Sequence, residues 1–152
     1  MLNRFEYFTA AVSAIHRDVQ KIERDEMEKW GLRGAFAQYL LAISRHPEGI
    51  TASRLCEVCD KDKAAVSRVI GEMEAKGLLE KESDGVGQYR ARLRLTPAGQ
   101  EAAAFVRERA SAAVELAGSG LSDEDRIIFY NALERISANL QTICIYGIPE
   151  KE

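Results

Sequence analysis

The stretch DKDKAAVSRVIGEMEAKGL, residues 60–78, constrains the fold more than any other, because it reads as one helix with two unlike faces. Val66, Val69, Ile70 and Met73 recur at helical spacing and mark the side that packs inward. The opposite side, at about 100° per residue, collects Ala64, Ser67, Arg68, Gly71 and Ala75. A solvated face ordinarily carries long charged residues, which favour both helix and water. This face is nearly bare, with one Arg in its middle. Either another helix or subunit packs on it, or a groove of nucleic acid closes over it.

The flanking sequence supplies the context. Phe5, Phe8, Val12, Ile15, Val19 and Ile22 step by 3 and 4, a heptad-like stripe on a long first helix. Gly31 and Gly34 interrupt before a second helix over 35–45, which ends at HPEG. Thr51 caps a short third helix (TASRLCEVC), and Asp60 or Asp62 caps the fourth, with Gly77 as its stop. LLEKES and QYRARLRL then flank DGVG as a β-hairpin; Tyr89, Ala91, Leu93 and Leu95 alternate with Arg90, Arg92 and Arg94. Thr96-Pro97 opens a fifth helix, and Ser122-Asp-Glu-Asp125 a sixth striped by Ile127, Ile128, Leu133, Ile136, Leu140 and Ile143. The expected fold is mainly α with a small β-hairpin wing, in the order α–α–α–α–β–β–α–α.

A short helix, a brief turn, a helix with a cleared face and a basic hairpin together describe a winged helix-turn-helix. A recognition helix must enter the major groove, and small residues let its axis approach. Arg68 is then the long donor that reaches a guanine or a phosphate, and Ser67 a phosphate or a base. The helix N-terminus near Lys63 suits a phosphate oxygen. The hairpin arginines reach a minor groove or the backbone, while Arg92 and Arg94 can instead pair across the hairpin with Glu80 and Glu82.

Charge permits this reading without demanding it. The formal net charge is −3, yet residues 61–94 alone carry +2 and the remainder −5. With 46% hydrophobic and 30% charged residues, the 152-residue chain is expected to fold around a proper core. MLNRFEYF lacks the apolar run of a signal peptide, and no run of about 18 apolar residues occurs, so a cytoplasmic protein without membrane contact is expected. No Gly-rich phosphate loop and no Ser/His/Asp or Cys/His set stands out, so an enzyme is not expected. Three cysteines and two distant histidines assemble no evident metal site and imply no cofactor. Cys56 and Cys59 read most simply as small core residues; a redox role for them and Cys144 is the alternative.

GITASRLCEVCDKDKAAVSRVIGEMEAKGLLEKE followed by RLRLTPAGQE resembles the MarR (multiple antibiotic resistance regulator) family of bacterial transcription factors. Its most specific pieces are DKAAVSRVIGEMEAKGLL and LTPAGQE. The resemblance implies a homodimer, with residues 1–34 and 97–148 as dimerisation helices and 35–96 as the winged helix-turn-helix. It implies a regulator, usually a repressor released by a small ligand, that binds double-stranded DNA at a pseudo-palindromic operator through recognition helix 62–76 and wing 79–95. Carried over by position, Lys63, Ala64, Ala65, Ser67 and Arg68 face DNA, with Thr51 and Ser53 near phosphates; in the wing Gln88, Arg90 and Arg92 are the DNA candidates, Arg90, nearest the tip, before Arg92. Phe5, Phe8, Val12, Ile15, Ile128, Leu133, Ile136 and Leu140 face the second copy, the alternative for the first helix being packing within its own subunit. An effector pocket for a small aromatic or anionic compound points at His16, Trp30 and Tyr39, which read equally as core. The chain departs from the family pattern at Ala64 and Ala65, where Ser or Thr is common, and in the wing. There Gly87, Gln88 and Tyr89 stand where the family has an Asp and an Arg, with Arg90 one position later. These departures make a winged-helix protein–protein module without DNA binding the alternative function.

Overall fold

The computed structural model describes residues 3–82 and 91–149. The chain divides into two compact units, residues 1–114 and 115–152.

In the first unit, α1 (Arg4–Lys29) starts on a capping box: Asn3 accepts from the Glu6 N–H while Glu6 reaches back to the Asn3 N–H. Next come α2 (Phe36–Ser44), β1 (Ile50–Thr51), α3 (Ala52–Cys59), α4 (Lys63–Ala75), β2 (Leu79–Glu82), β3 (Arg92–Leu95) and α5 (Pro97–Ala117), whose last residues pass into the second unit. The second helix is a residue shorter at each end than the sequence suggests. Strand β1 is an addition to the expected order; at two residues it is too short to carry a periodic signal. It pairs antiparallel with β3, giving a three-stranded sheet ordered β1-β3-β2. The register sets Glu80 opposite Arg94 and Glu82 opposite Arg92. Ala91, Leu93 and Leu95 point inward, as the period of two requires.

The core of this unit is built from α2 and the elements around it. Phe36, Leu40 and Ile43 of α2 are fully buried with Met27 of α1, Leu55 of α3, Val66 and Met73 of α4 and Val106 of α5. Helix α2 is buried nearly all round, so it forms the centre against which the other helices pack. Glu26 is the buried charge of α1; Lys29 at 2.6 Å and Arg109 at 3.0 Å hold its carboxylate and join α1 to α5. Trp30 stacks on Phe105 with ring centroids 4.5 Å apart, a second link between the same regions.

The second unit contains α6 (Asp123–Tyr146), opened by a capping box between Ser122 and Asp125. Arg126 reaches back to Glu115 and to the Gly118 carbonyl, fixing the turn before the helix. Helix α6 buries none of its residues within the chain, and Ile128, Leu133, Ile136 and Leu140 are all exposed.

Candidate nucleic-acid interface

Helices α3 and α4 are joined by a three-residue turn, and each of its residues has a task. Asp60 ends α3 in the left-handed region at φ 50°, which lets the Lys61 N–H reach the Cys56 carbonyl at 3.1 Å. Asp62 then caps α4 by accepting from the Ala65 N–H at 2.8 Å. The choice between Asp60 and Asp62 as cap thus falls to Asp62. This alters the expected phosphate contact at the helix N-terminus, because the Asp62 carboxylate already occupies part of that positive end and repels a second anion.

The two faces of α4 fall where the sequence puts them. Val66, Val69, Ile70 and Met73 are buried, while Ala64, Ser67, Arg68, Gly71 and Ala75 are exposed; Ala65 is half-buried. A Cβ built on Gly71 would meet no atom within 4 Å, so nothing among the described residues requires glycine there. Arg68 has no hydrogen-bond or ion-pair partner among the described residues. The acids of this helix are engaged to its sides: Glu72 with Arg33, and Glu74 with Lys81 at 2.7 Å. Among the described residues, Arg68 is thus a cation without a partner on a low surface, with Glu72 and Glu74 of the same helix held in ion pairs.

Thr51 and Ser53 stand at the start of α3. The Thr51 hydroxyl is the helix cap, accepting from the Arg54 N–H at 3.2 Å, whereas Ser53 is exposed. In the wing, Arg94 makes the cross-strand pair, 3.1 Å from Glu82, and its guanidinium also donates to the Glu48 carbonyl. Arg92, for which a pair with a hairpin glutamate is also foreseen, instead directs its guanidinium to the same carbonyl at 3.4 Å and stays exposed. Gln88 and Arg90 lie outside the described residues.

The three residues suggested for an effector pocket are not brought together. Tyr39 is in the core, and Trp30 is on Phe105. His16 does line a cavity of about 580 Å³ between α1, α2 and the end of α3, with Glu23, Arg24, Arg45, Cys59 and Lys61. Sequence reasoning missed Glu23, Arg24 and Arg45, because ionisable residues on a helix read as solvated surface. Burial pushes the Glu23 carboxyl above the ordinary carboxylate range, against the pull of Arg45, His16 and Arg24. Burial likewise pushes the Cys59 thiol up to about 11, with Cys56 adding to the shift. Cys56 is half-buried and Cys144 exposed; none of the three is bonded to another, and no metal-binding group of side chains occurs among the described residues. No helix among those residues is long and apolar enough to cross a membrane.

Residues 30–88, which hold α2 to α4 and the first wing strand, match the MarR family model. Over that stretch the chain is similar to the MarR family, and its described elements have the MarR-type winged helix-turn-helix topology. It is 25% identical over 130 residues to the uncharacterized HTH-type transcriptional regulator YybA of Bacillus subtilis (strain 168), covering 86% of each chain. Among solved structures, a MarR transcriptional regulator from Methanosarcina mazei superposes with a TM-score of 0.78 at 24% identity, over 91% of this chain and 99% of the other. A MarR-family regulator from Listeria monocytogenes, solved in complex with a 26-mer DNA, superposes with a TM-score of 0.72 at 20% identity, over 95% and 97%. The MarR-type topology thus extends beyond residues 30–88 to the flanking helices.

Proposed function

We propose that this MarR-type protein is a homodimeric transcriptional regulator that binds a pseudo-palindromic operator with α4 in the major groove and the wing beside it. The observation that carries this reading is Arg68, exposed and without a partner among the described residues, in the middle of a face cleared by Ala64, Ser67 and Gly71. A long donor on a low surface is suited to a base edge in a groove about 12 Å wide. The likeness to the Listeria regulator solved with DNA supports the same reading. Dimerisation is supported by the exposed apolar residues of α6 and, on α1, by Phe5, Val12 and Ile15; surfaces of this kind are ordinarily covered by a partner. The two recognition helices then stand about 34 Å apart, or a multiple of it, to meet successive grooves. The cavity around His16 and Arg45 is the effector site of this reading. Its position against the turn before α4 lets an anionic or zwitterionic ligand act on the recognition helix, which makes the protein a ligand-released repressor.

Fluorescence anisotropy against the DNA upstream of its own gene, with random duplex as control and at two salt concentrations, tests the reading. One dimer per site, binding far above random duplex and weakening steeply with salt, is the expected result. Equal, weak binding to both duplexes together with a salt-insensitive protein partner would assign the Ala64/Ala65 face to protein contact instead.

A further inference from the structure

The C-x-x-C pair of α3 has no part in the DNA-binding reading. Cys56 and Cys59 stand three residues apart on that helix and so share a face. Both are half-buried, both pack against the core, and neither is bonded to another cysteine. Burial, then Cys59 and Cys56, push the Tyr39 hydroxyl up, which places both sulfurs together on the side towards α2. Helix geometry keeps the pair open. Cβ atoms at this spacing on a helix stand about 5–6 Å apart. A disulfide asks for about 3.5–4.5 Å, so closing one distorts the last turn of α3. A single atom set between the two sulfurs relieves that mismatch.

The surroundings decide which atom. Cys59 lines the cavity between α1, α2 and the end of α3, where Arg24, Arg45 and Lys61 outnumber Glu23 and Asp60. Lys61 and Arg45 both act on the Cys59 sulfur. A metal cation is repelled there, and among the described residues no three histidine, cysteine or carboxylate side chains gather to hold one. A neutral centre with affinity for sulfur meets neither obstacle. Leu41, Ala42 and Val58 give the same cavity an apolar wall for a substituent on that centre.

We propose that Cys56 and Cys59 form a dithiol site for trivalent arsenic compounds, taken up as the neutral acid. Each thiol replaces one hydroxyl on arsenic: two As–S bonds form, two As–O bonds break, and the thiol protons leave with the hydroxyls as two waters. Arsenic stays trivalent, so no oxidant or reductant takes part, and the product is uncharged. Burial and Cys56 push the Cys59 thiol up to about 11. That protonated resting state suits a condensation that consumes the proton, while it slows reagents that need thiolate. The chelate closes on the turn that leads to α4, where the Lys61 N–H donates to the Cys56 carbonyl at 3.1 Å and Asp62 caps the next helix. Occupancy is thereby felt at the start of α4. The site goes beyond the DNA-binding reading, and its test needs no DNA.

The probe is phenylarsine oxide, which hydrates to the acid, added in equimolar amount to reduced full-length protein and followed by intact-mass spectrometry. A single adduct is expected that survives excess glutathione and is removed by dimercaprol, the mark of two sulfurs on one arsenic. In tryptic digests it lies on peptide 55–61, which carries both cysteines. Cys144→Ser keeps the adduct, whereas Cys56→Ser and Cys59→Ser each lose its resistance to glutathione. Peptide mapping of the unsubstituted protein decides the matter if either of those two variants fails to fold. An adduct on Cys144, one that glutathione strips, one that forms only in urea, or none at all would each overturn the proposal.

Discussion

Gly99 passes so close to Leu78 that a Cβ on it would stand 1.9 Å from the Leu78 carbonyl oxygen. Thr96 holds the approach: its N–H donates to that same carbonyl at 3.1 Å, and its hydroxyl donates to the Gly77 carbonyl at 2.5 Å while accepting from the Gly99 N–H at 3.2 Å. The LTPAGQE segment is therefore a joint. It pins the start of α5 to the chain leaving α4 and so fixes strand β3 relative to α4.

Gly99→Ala is expected to destabilise the protein by about 1–3 kcal/mol or more, because backbone on both sides must move to admit a methyl group. Urea unfolding followed by circular dichroism measures it. A loss below a few tenths of a kcal/mol would show that the joint yields easily.

Gly71→Ala has the opposite sign. The position is mid-helix with open space around it, so Ala is expected to add up to about 1 kcal/mol of stability. If α4 lies in the groove as proposed, the same methyl group weakens operator binding. A variant more stable and equally tight on DNA would place Gly71 outside the contact.

Glu26 and Glu23, three residues apart on α1, are expected to give stability opposite dependences on pH. Lys29, then Arg109, hold the Glu26 carboxyl below the ordinary carboxylate range. Its contribution is present above the unfolded value and is lost as pH falls through the lowered folded value. Burial raises Glu23, whose contribution is full below the unfolded value and declines as pH rises through the raised folded one. Glu26→Gln should therefore cost stability at neutral pH and flatten the acid limb, whereas Glu23→Gln should add stability at neutral pH. Denaturant midpoints from pH 3 to 7, about the carboxylate range, report both.

Legibility in the sequence follows the strength of local signals. The inward face of α4, the alternation in β3 and the caps at Thr51, Thr96 and Ser122 rest on periodicity and short-range hydrogen bonding, and the structure reproduces them. Strand β1 exists only because β3 passes beside it, and no local pattern announces a two-residue pairing. The His16 cavity was harder still. Tyr39 and Trp30 attract attention as aromatics yet serve packing, while the charged Glu23, Arg24 and Arg45 converge only once α1 and α2 are set side by side.

Cys59 is expected to be the slower of two thiols to react. With its thiol pushed up to about 11 by burial and by Cys56, almost none of it is thiolate at neutral pH, and the thiolate is the reacting form. Cys144 is exposed on α6 and has no such burial. Labelling with a disulfide reagent at about pH 8, near the ordinary thiol range, should modify Cys144 first, and Cys59 only on unfolding. Mass spectrometry of the labelled peptides separates the two. Rapid labelling of Cys59 in the folded protein would instead reopen the C-x-x-C pair as an oxidant sensor beside the recognition helix.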